Sequence, residues 1–576
     1  MRWFPLALLL CASFADAQYD AKQKTARVEG TVLSSNGDLI RKATVRLQGT
    51  ASQPGQQPAS YNETTDNMGK FVFDDVTPGR YTLSADKPGF AAGRYGARSN
   101  TSPGTQFNLT AGMEMKDLVI KMTPQGVIAG KVLDQDGDPV VSVQVQAMRS
   151  TYIGGRKQLQ PTGGTTTNDL GEYRLINLVP GRYFISASDS RAVRIAQDSD
   201  LRVGKGQEAS IPTYYPNSAD VTGALAVDVA AGAEMRGTDI RLLKARVYIV
   251  RGKALDAPST APAILVLTRK DDSSNLPAML NGGGSTQTRP DGTFEFRNVL
   301  PGTYVLQLTQ VISVNGNTPA DITGRVEVTV GNANVDNLVL PLVPRPSITG
   351  TVTLEDGDVA TLLKPAQNAT GGAINGTPVI ARWQIGLFQM ENGPALPNAQ
   401  VNADGTFRFN SVSLGKYSLN ALSLTQRTYL KSARFGGQDV LHGYIDTTSG
   451  TGGTLDLVYS SKVATITGSV HNEKGEAAAG IMVTLWPKIP DTNPIGMVRP
   501  GITDQNGGFK FQGLGPGDYY VAAWEDVDQG LLQSAEFVGH FTSDASAIKL
   551  SEGGQESRDL KLIPADKTAV EIAKLQ

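Results

Sequence analysis

Residues 69–81 read GKFVFDDVTPGRY, and this stretch contains the pattern that decides the fold. Apolar residues alternate with mostly polar ones from Phe71 and again from Tyr81, which predicts two half-buried β-strands. Pro78 and Gly79 predict a turn between them, because proline presets one backbone dihedral and glycine tolerates positive φ.

The same block recurs along the chain, always over eleven positions. Its copies are Phe71–Tyr81, Tyr173–Tyr183, Phe294–Tyr304, Phe407–Tyr417 and Phe509–Tyr519. A second block, Val/Ile-x-Gly-x-Val/Ala, precedes each copy, at Val28–Val32, Ile128–Val132, Val250–Ala254, Ile348–Val352 and Ile466–Val470. From its glycine to the first aromatic residue, the distances are 41, 43, 42, 57 and 41 residues. Two blocks in fixed order at near-fixed spacing predict five tandem modules.

Each module contains signals for about seven short strands in roughly 110 residues, which is typical of a two-sheet β-sandwich. The predicted fold class is all-β: a tandem array of five prealbumin-like or Ig-like sandwiches forming an elongated rod of roughly 170 Å. The predicted divisions are 1–17, a signal peptide; 18–123, 124–244, 245–343, 344–462 and 463–564, the modules; and 565–576, a C-terminal tail. The fourth module carries an insertion near 367–378, predicted as an exposed loop.

Composition limits the classes of function. The net charge is -2, so no global basic field exists to bind nucleic acid or anionic lipid. With three histidines and one cysteine in 576 residues, we expect no His- or Cys-built metal site and no cofactor. Glycine is abundant, at 63 residues, and charged residues make up only 19%, which favours turns and strands over long helices.

The first residues predict export. Arg2, an apolar run over 6–10 and Ala15-Asp16-Ala17 form a signal peptide with cleavage after Ala17. Cleavage removes Cys11, the chain's cysteine. No later stretch approaches about 18 apolar residues, so we expect no transmembrane segment and a secreted or extracytoplasmic protein.

These modules resemble a known family. The Ile-x-Gly-x-Val strand, the Gly-x-Phe entry and the Pro-Gly-x-Tyr corner are similar to the carboxypeptidase regulatory-like domain. The resemblance implies a transthyretin-like (prealbumin-like) sandwich, related to Cna-B repeats and grouped with starch-binding-like folds. It covers about residues 26–564. It implies no peptidase, because such modules accompany peptidases, transporters, adhesins and glycan-binding proteins.

The residues do not support an enzyme. A zinc carboxypeptidase needs a His-x-x-Glu pair, and none of His442, His471 and His540 begins one. No Gly-x-Ser-x-Gly elbow or phosphate-binding Gly-x-x-x-x-Gly-Lys loop is present. The acidic run Asp134–Asp138 is interpreted as a turn rather than a calcium loop, because it lacks the ligand series and terminal glutamate of an EF-hand.

The candidate ligand-binding residues are Trp486, Tyr520 and Trp524 in the fifth module. By strand alternation they point away from the core, and exposed aromatic rings suit the apolar faces of sugars. The alternative is that these rings pack under the 526–541 segment or against the fourth module.

The favoured function is a secreted, non-enzymatic binding protein for a polysaccharide or envelope glycan. A structural or adhesive scaffold with a protein partner is the first alternative, since exposed sheet edges can recruit a strand. An accessory component of a separate secreted peptidase or outer-membrane transporter is the second.

Overall fold

The structure is a computed structural model that describes the following residues: 25–50, 58–97, 99–100, 102, 104–153, 156–189, 207–259, 261–270, 283–312, 321–360, 370–374, 377–380, 384–389, 398–410, 412–420, 427–472, 474–488 and 498–575. The predicted signal peptide, 1–17, lies outside these residues. The described chain is nearly all β, which confirms the predicted fold class.

The first module packs two sheets face to face. Its strands are β1 Ala26–Ser34, β2 Thr44–Gly49, β3 Ser60–Thr64, β4 Lys70–Val76, β5 Gly79–Asp86, β6 Phe90–Ala91, β7 Gly93–Arg94, β8 Phe107–Leu109 and β9 Glu114–Pro124. One sheet has the order β4-β1-β9-β6, and the other has β3-β2-β5-β7 with β8 also paired to β5. Alternate residues of both sheets, such as Val28, Phe71, Val45 and Leu83, fill the core between them.

The second module repeats this plan. Its strands are β10 Gly126–Leu133, β11 Gln144–Ile153, β12 Arg156–Thr166, β13 Glu172–Leu178, β14 Gly181–Ser188, β15 Gln207–Ser210, β16 Thr213–Tyr214, β17 Val227–Val229, β18 Glu234–Met235 and β19 Ile240–Arg241. A short 3-10 helix occupies Val221–Gly223. The sheet β12-β11-β14-β16, with β17 paired to β14, faces the sheet β13-β10-β18.

The third and fourth modules follow the same plan. The third has β20 Lys244–Leu255, β21 Ala263–Arg269, β22 Gly284–Gln287, β23 Thr293–Val299, β24 Gly302–Val311, β25 Ile322–Thr323, β26 Arg325–Val330 and β27 Val335–Pro341. The short β28 Val343–Pro344 pairs with β25. The fourth has β29 Ile348–Leu354, β30 Thr370–Ile374, β31 Thr377–Ile380, β32 Gln384–Gln389, β33 Asn398–Gln400, β34 Thr406–Phe409, β35 Lys416–Asn420, β36 Tyr429–Phe435, β37 Gln438–Asp439, β38 Ile445–Asp446 and β39 Gly453–Ser460. Strands β30 and β31 pair as a hairpin where the insertion was predicted as a loop.

The fifth module joins its two layers into one sheet. Its strands are β40 Ala464–His471, β41 Met482–Pro487, β42 Arg499–Ile502, β43 Gly508–Leu514, β44 Gly517–Trp524, β45 Ser546–Leu550 and β46 Gln555–Ile563. The order is β42-β41-β44-β46-β40-β43, with β45 also paired to β44. Two helices are added, α1 Ala535–Gly539 and α2 Ala565–Leu575, together with a 3-10 helix at Leu531–Gln533. The residues predicted as a C-terminal tail therefore contain a helix.

The repeated sequence blocks build the same contacts in every module. Each corner tyrosine donates its hydroxyl to the carbonyl four residues earlier; these bonds join Tyr81 to Thr77, Tyr183 to Val179, Tyr304 to Leu300, Tyr417 to Ser413 and Tyr519 to Gly515. The first-strand glycine faces a neighbouring backbone. At Gly468, a Cβ atom would lie 1.8 Å from the carbonyl oxygen of Arg558 and 2.6 Å from Cζ of Phe509.

A buried threonine forms a further repeated pair of hydrogen bonds, which sequence reasoning did not predict. Thr65 donates its hydroxyl to the carbonyl of Ile40 and accepts the N–H of Ala43, both at 2.8 Å. Thr167 and Thr503 make the same pair of bonds in the second and fifth modules. In the first module these two hydrogen bonds connect the loop between β1 and β2 to Thr65, the residue that follows β3.

Consecutive modules join almost without linkers. One residue separates β9 from β10, two separate β19 from β20, and three separate β39 from β40. Bonds also cross the joints: β15 pairs with the start of β20, and Arg345 contacts Asp321 and Ser413, at 3.3 and 2.9 Å, between the third and fourth modules. These contacts and the short proline-bearing linkers predict stiff joints.

The fifth module lies against the first two. Oγ of Ser102 lies 3.4 Å from a carboxylate oxygen of Asp526. A Cβ atom on Gly480 would lie 2.3 Å from Oγ1 of Thr105. Gly530 lies against Thr151 and Tyr152 of the second module. The tandem all-β array is confirmed, but these contacts do not fit an end-to-end rod. Instead the chain closes on itself, because the fifth module carries an added segment that packs onto its predecessors.

Candidate functional site

The predicted aromatic residues lie on two neighbouring strands of the fifth module. Strands β41 and β44 pair antiparallel, with Trp486 opposite Tyr520 and Met482 opposite Trp524. Alternate residues of both strands, such as Val483 and Val521, fill the module core. The predicted alternation is confirmed, so the three candidates share the opposite face.

On that face the rings form a continuous aromatic cluster. The ring centroids of Trp486 lie 5.7 Å from those of Tyr520 and 6.5 Å from those of Trp524. Phe541 meets Trp524 edge-on at 5.0 Å, and Phe537 lies 5.8 Å away. These separations are typical of favourable aromatic pairs.

The cluster is covered, which corrects the prediction of an exposed aromatic surface. Trp524 is 1% exposed and Trp486 is 5% exposed. The 3-10 helix at Leu531–Gln533, helix α1 and Ile572 of helix α2 lie over them. The indole N–H of Trp524 donates to Oγ1 of Thr484 at 3.1 Å, so its polar atom is also satisfied internally. The alternative interpretation, packing under the 526–541 segment, describes these two rings.

Tyr520 differs from the two tryptophans because it is only half-buried. Nζ of Lys488 lies 5.9 Å from its ring centroid, within the range of a cation–π contact. Of the three candidate residues, it alone keeps part of its ring accessible.

Sequence reasoning left the burial of this face as one of two alternatives. The available signal was the pair Phe537 and Phe541, four residues apart, which places both rings on one side of a helical turn. Helix α1 has five residues, so it offers no longer periodicity to recognise.

A cavity of about 510 Å³ lies where the fifth module meets the second. Its walls come from β11 and the corner at Gly181 in the second module, and from Leu531 and Ile572 in the fifth. Tyr152 and Phe184 line it from the outer face of the second module's sheet. Sequence reasoning did not predict this site, because the residues that form it come from distant parts of the chain.

The guanidinium of Arg149 is one of the charges that line this cavity. Its Cζ atom lies 3.4 Å from the position that a Cβ atom would take on Gly181. Burial raises the pKa of the neighbouring Tyr183 hydroxyl, and the charge of Arg149 acts against this shift. Burial also raises the pKa of Tyr152, with a further contribution from Glu536 of the fifth module.

Two other charges at the cavity neutralise each other. Nε of Arg182 lies 3.0 Å from a carboxylate oxygen of Asp228. Asp528 accepts the N–H of Gly530, the residue before the 3-10 helix, at 2.8 Å.

The acidic run behaves as a turn. One carboxylate oxygen of Asp134 accepts the N–H groups of Asp136 and Asp138, both at 2.9 Å. These bonds hold the pKa of Asp134 below its ordinary value, and the bond from the Asp138 N–H has the largest effect. Within the described ranges, no three His, Cys, Asp or Glu side chains come together as a metal site. Nor is any described helix long and apolar enough to span a bilayer.

Comparison with known sequences finds a family match over the first two modules. Residues 27–119 and 127–213 match the family model of the carboxypeptidase regulatory-like domain, which confirms the expected resemblance. Colossin-A of Dictyostelium discoideum is 22% identical in an alignment of 506 positions that covers 80% of this chain. The chain spans 4% of the length of that relative.

The solved structures that the comparison finds include a pilin and two repeat units of a collagen-binding protein. The minor pilin GBS52 of Streptococcus agalactiae is 14% identical, with 38% of this chain and 97% of the pilin covered and a TM-score of 0.21. Two B repeat units of the collagen-binding protein of Staphylococcus aureus are 11% identical, with 76% and 100% covered and a TM-score of 0.12.

Proposed function

We propose that this protein is an exported, non-enzymatic scaffold whose five modules hold binding surfaces for a cell-envelope component at fixed positions. The observation that supports this proposal is the short connection between the last strand of each module and the first strand of the next. One to three residues at a joint leave little freedom between neighbours.

The contacts that recur in every module favour the same conclusion. The corner tyrosines and close-packed glycines serve the framework, and they are the features common to all five modules. Binding then belongs to the surfaces that differ between modules. A protein partner fits this arrangement best, because Trp486 and Trp524 are buried and a glycan site on that face is left with Tyr520.

Co-sedimentation of the mature chain with washed envelope fragments of the producing organism tests the proposal. We expect binding that is lost when the fragments are treated with protease. Binding lost only after removal of glycans would instead support the carbohydrate-binding function. No co-sedimentation with any preparation would contradict both.

A pair of matched variants examines the glycan alternative. Tyr520→Ala removes the half-buried ring beside Lys488, whereas Tyr444→Ala removes an exposed ring beside Lys416 in the fourth module. A glycan site on the fifth module requires loss of polysaccharide binding in the first variant alone.

Export has its own test. Mass spectrometry of the protein recovered outside the cytoplasm should show a chain that begins at Gln18. A chain that retains Met1 would exclude the predicted signal peptide.

A further inference from the structure

The cavity between the second and fifth modules has the size and composition of a small-molecule site. Its volume of about 510 Å³ falls within the range of roughly 300–1,000 Å³ that is usual for ligand pockets. Residues of both modules line it, so the site exists only when the fifth module is docked on the second.

One end of the cavity carries a positive charge without an acidic partner. Among the residues that the structure describes, Arg149 takes part in no ion pair, although it is half-buried. Arg182, in contrast, is paired with Asp228. A half-buried guanidinium offers several N–H donors in a planar fork that matches a carboxylate.

Apolar and aromatic side chains form another part of the wall. Tyr152 and Phe184 come from the second module, and Leu531 and Ile572 from the fifth. Arg182 and Asp228 line the cavity as an ion pair, which leaves the guanidinium of Arg149 for a ligand. A ligand with one negative charge and an apolar body could pair with Arg149 and contact the apolar lining side chains.

We propose that this cavity binds an organic monocarboxylate, with the carboxylate against Arg149 and an aromatic or aliphatic body between Phe184 and Leu531. This inference goes beyond the scaffold function and does not depend on it.

Titration calorimetry of the full mature chain with 2-naphthoate tests the proposal, with decanoate as the aliphatic probe and 2-naphthylmethanol as the neutral one. We expect one naphthoate per chain. Arg149→Gln should weaken it about 10- to 100-fold, because a charge-assisted hydrogen bond is lost. The neutral probe should bind both forms equally.

The third module offers a matched control. Arg269 lies against Gly302 as Arg149 lies against Gly181, but it does not line the cavity. Arg269→Gln should therefore leave naphthoate binding unchanged. Ala230→Trp, at an exposed position on the rim, should block binding without disturbing a core.

Ala230→Trp also keeps the test valid if Arg149→Gln fails to fold. Displacement of naphthoate by decanoate would assign an aliphatic acid to the same site. The proposal is overturned if neither acid binds, if Arg149→Gln and Ala230→Trp both bind like the parent chain, or if Arg269→Gln loses binding equally.

Discussion

At the scale of single residues, two positions form the same contacts in all five modules. The corner tyrosine closes its own turn through a hydroxyl-to-carbonyl bond, and the first-strand glycine lets two strands and an aromatic ring meet. The hydroxyl bond and the close approach at the glycine both depend on the fold of one module, and therefore the two residues recur in every module.

Gly468→Ala should destabilise the protein by about 1–3 kcal/mol, because the new methyl group would collide with the backbone of Arg558. Gly539→Ala is the control within the same module, since no heavy atom lies within 4 Å of that Cβ position. Its effect should stay within about 0.5 kcal/mol. Chemical denaturation measures both, and equal losses would contradict the contact.

Alkaline pH should weaken the tyrosine corners. Burial raises the pKa of Tyr304 to about 12, whereas the unfolded value is about 10. The contribution to stability is fully present below pH 10 and is lost as pH rises from about 10 to 12, because the folded form resists deprotonation.

Tyr304→Phe isolates this effect. The variant should be less stable at neutral pH by about 1 kcal/mol, because the hydrogen bond to the Leu300 carbonyl is lost. Its stability should then fall less steeply than the parent's between pH 10 and 12. Parallel curves would exclude a titrating role for this hydroxyl.

At the scale of elements, the fifth module uses both faces of strands β41 and β44. One face fills the sandwich core, and the other carries the aromatic cluster under the 3-10 helix, α1 and α2. The alternation of Ile481–Trp486 predicts two apolar faces but does not tell which of them meets solvent. That answer depends on the 526–545 segment, where the elements are too short to give a clear period.

Ile572→Asp in helix α2 should lower stability by about 1–3 kcal/mol, because it places a carboxylate against the aromatic cluster. Val570→Asp is the matched control, since Val570 is 56% exposed on the same helix. Tryptophan emission should shift to longer wavelength in the first variant only. A red shift in both would mean that the helix covers the cluster less selectively.

At the scale of the whole molecule, the chain closes on itself. The sequence predicts the module count and the strands within each module, because the repeated blocks specify them locally. The path of the array depends instead on isolated contacts, such as Gly480 with Thr105 and Ser102 with Asp526. No periodic sequence pattern marks these residues. The sequence therefore predicted five modules end to end and missed the contacts that bring the fifth module against the first. The cavity beside Arg149 was missed for the same reason.

Gly530→Trp should open this arrangement, because the ring would be wedged against Thr151 and Tyr152. Small-angle scattering should then show a larger maximum dimension, moving toward the roughly 170 Å of an extended array. Gly539→Trp is the control, with open space around its Cβ position. An unchanged scattering curve in both variants would show that the contact does not hold the fifth module in place.

The pairing of first and last strands has a mechanical consequence. In all five modules these strands run parallel and side by side, as β1 with β9, β10 with β19 and β40 with β46. The two ends of such a module therefore emerge in opposite directions, and tension along the chain loads the intervening hydrogen bonds in shear. Those bonds must break together rather than one by one, so each such module should resist pulling until it fails abruptly.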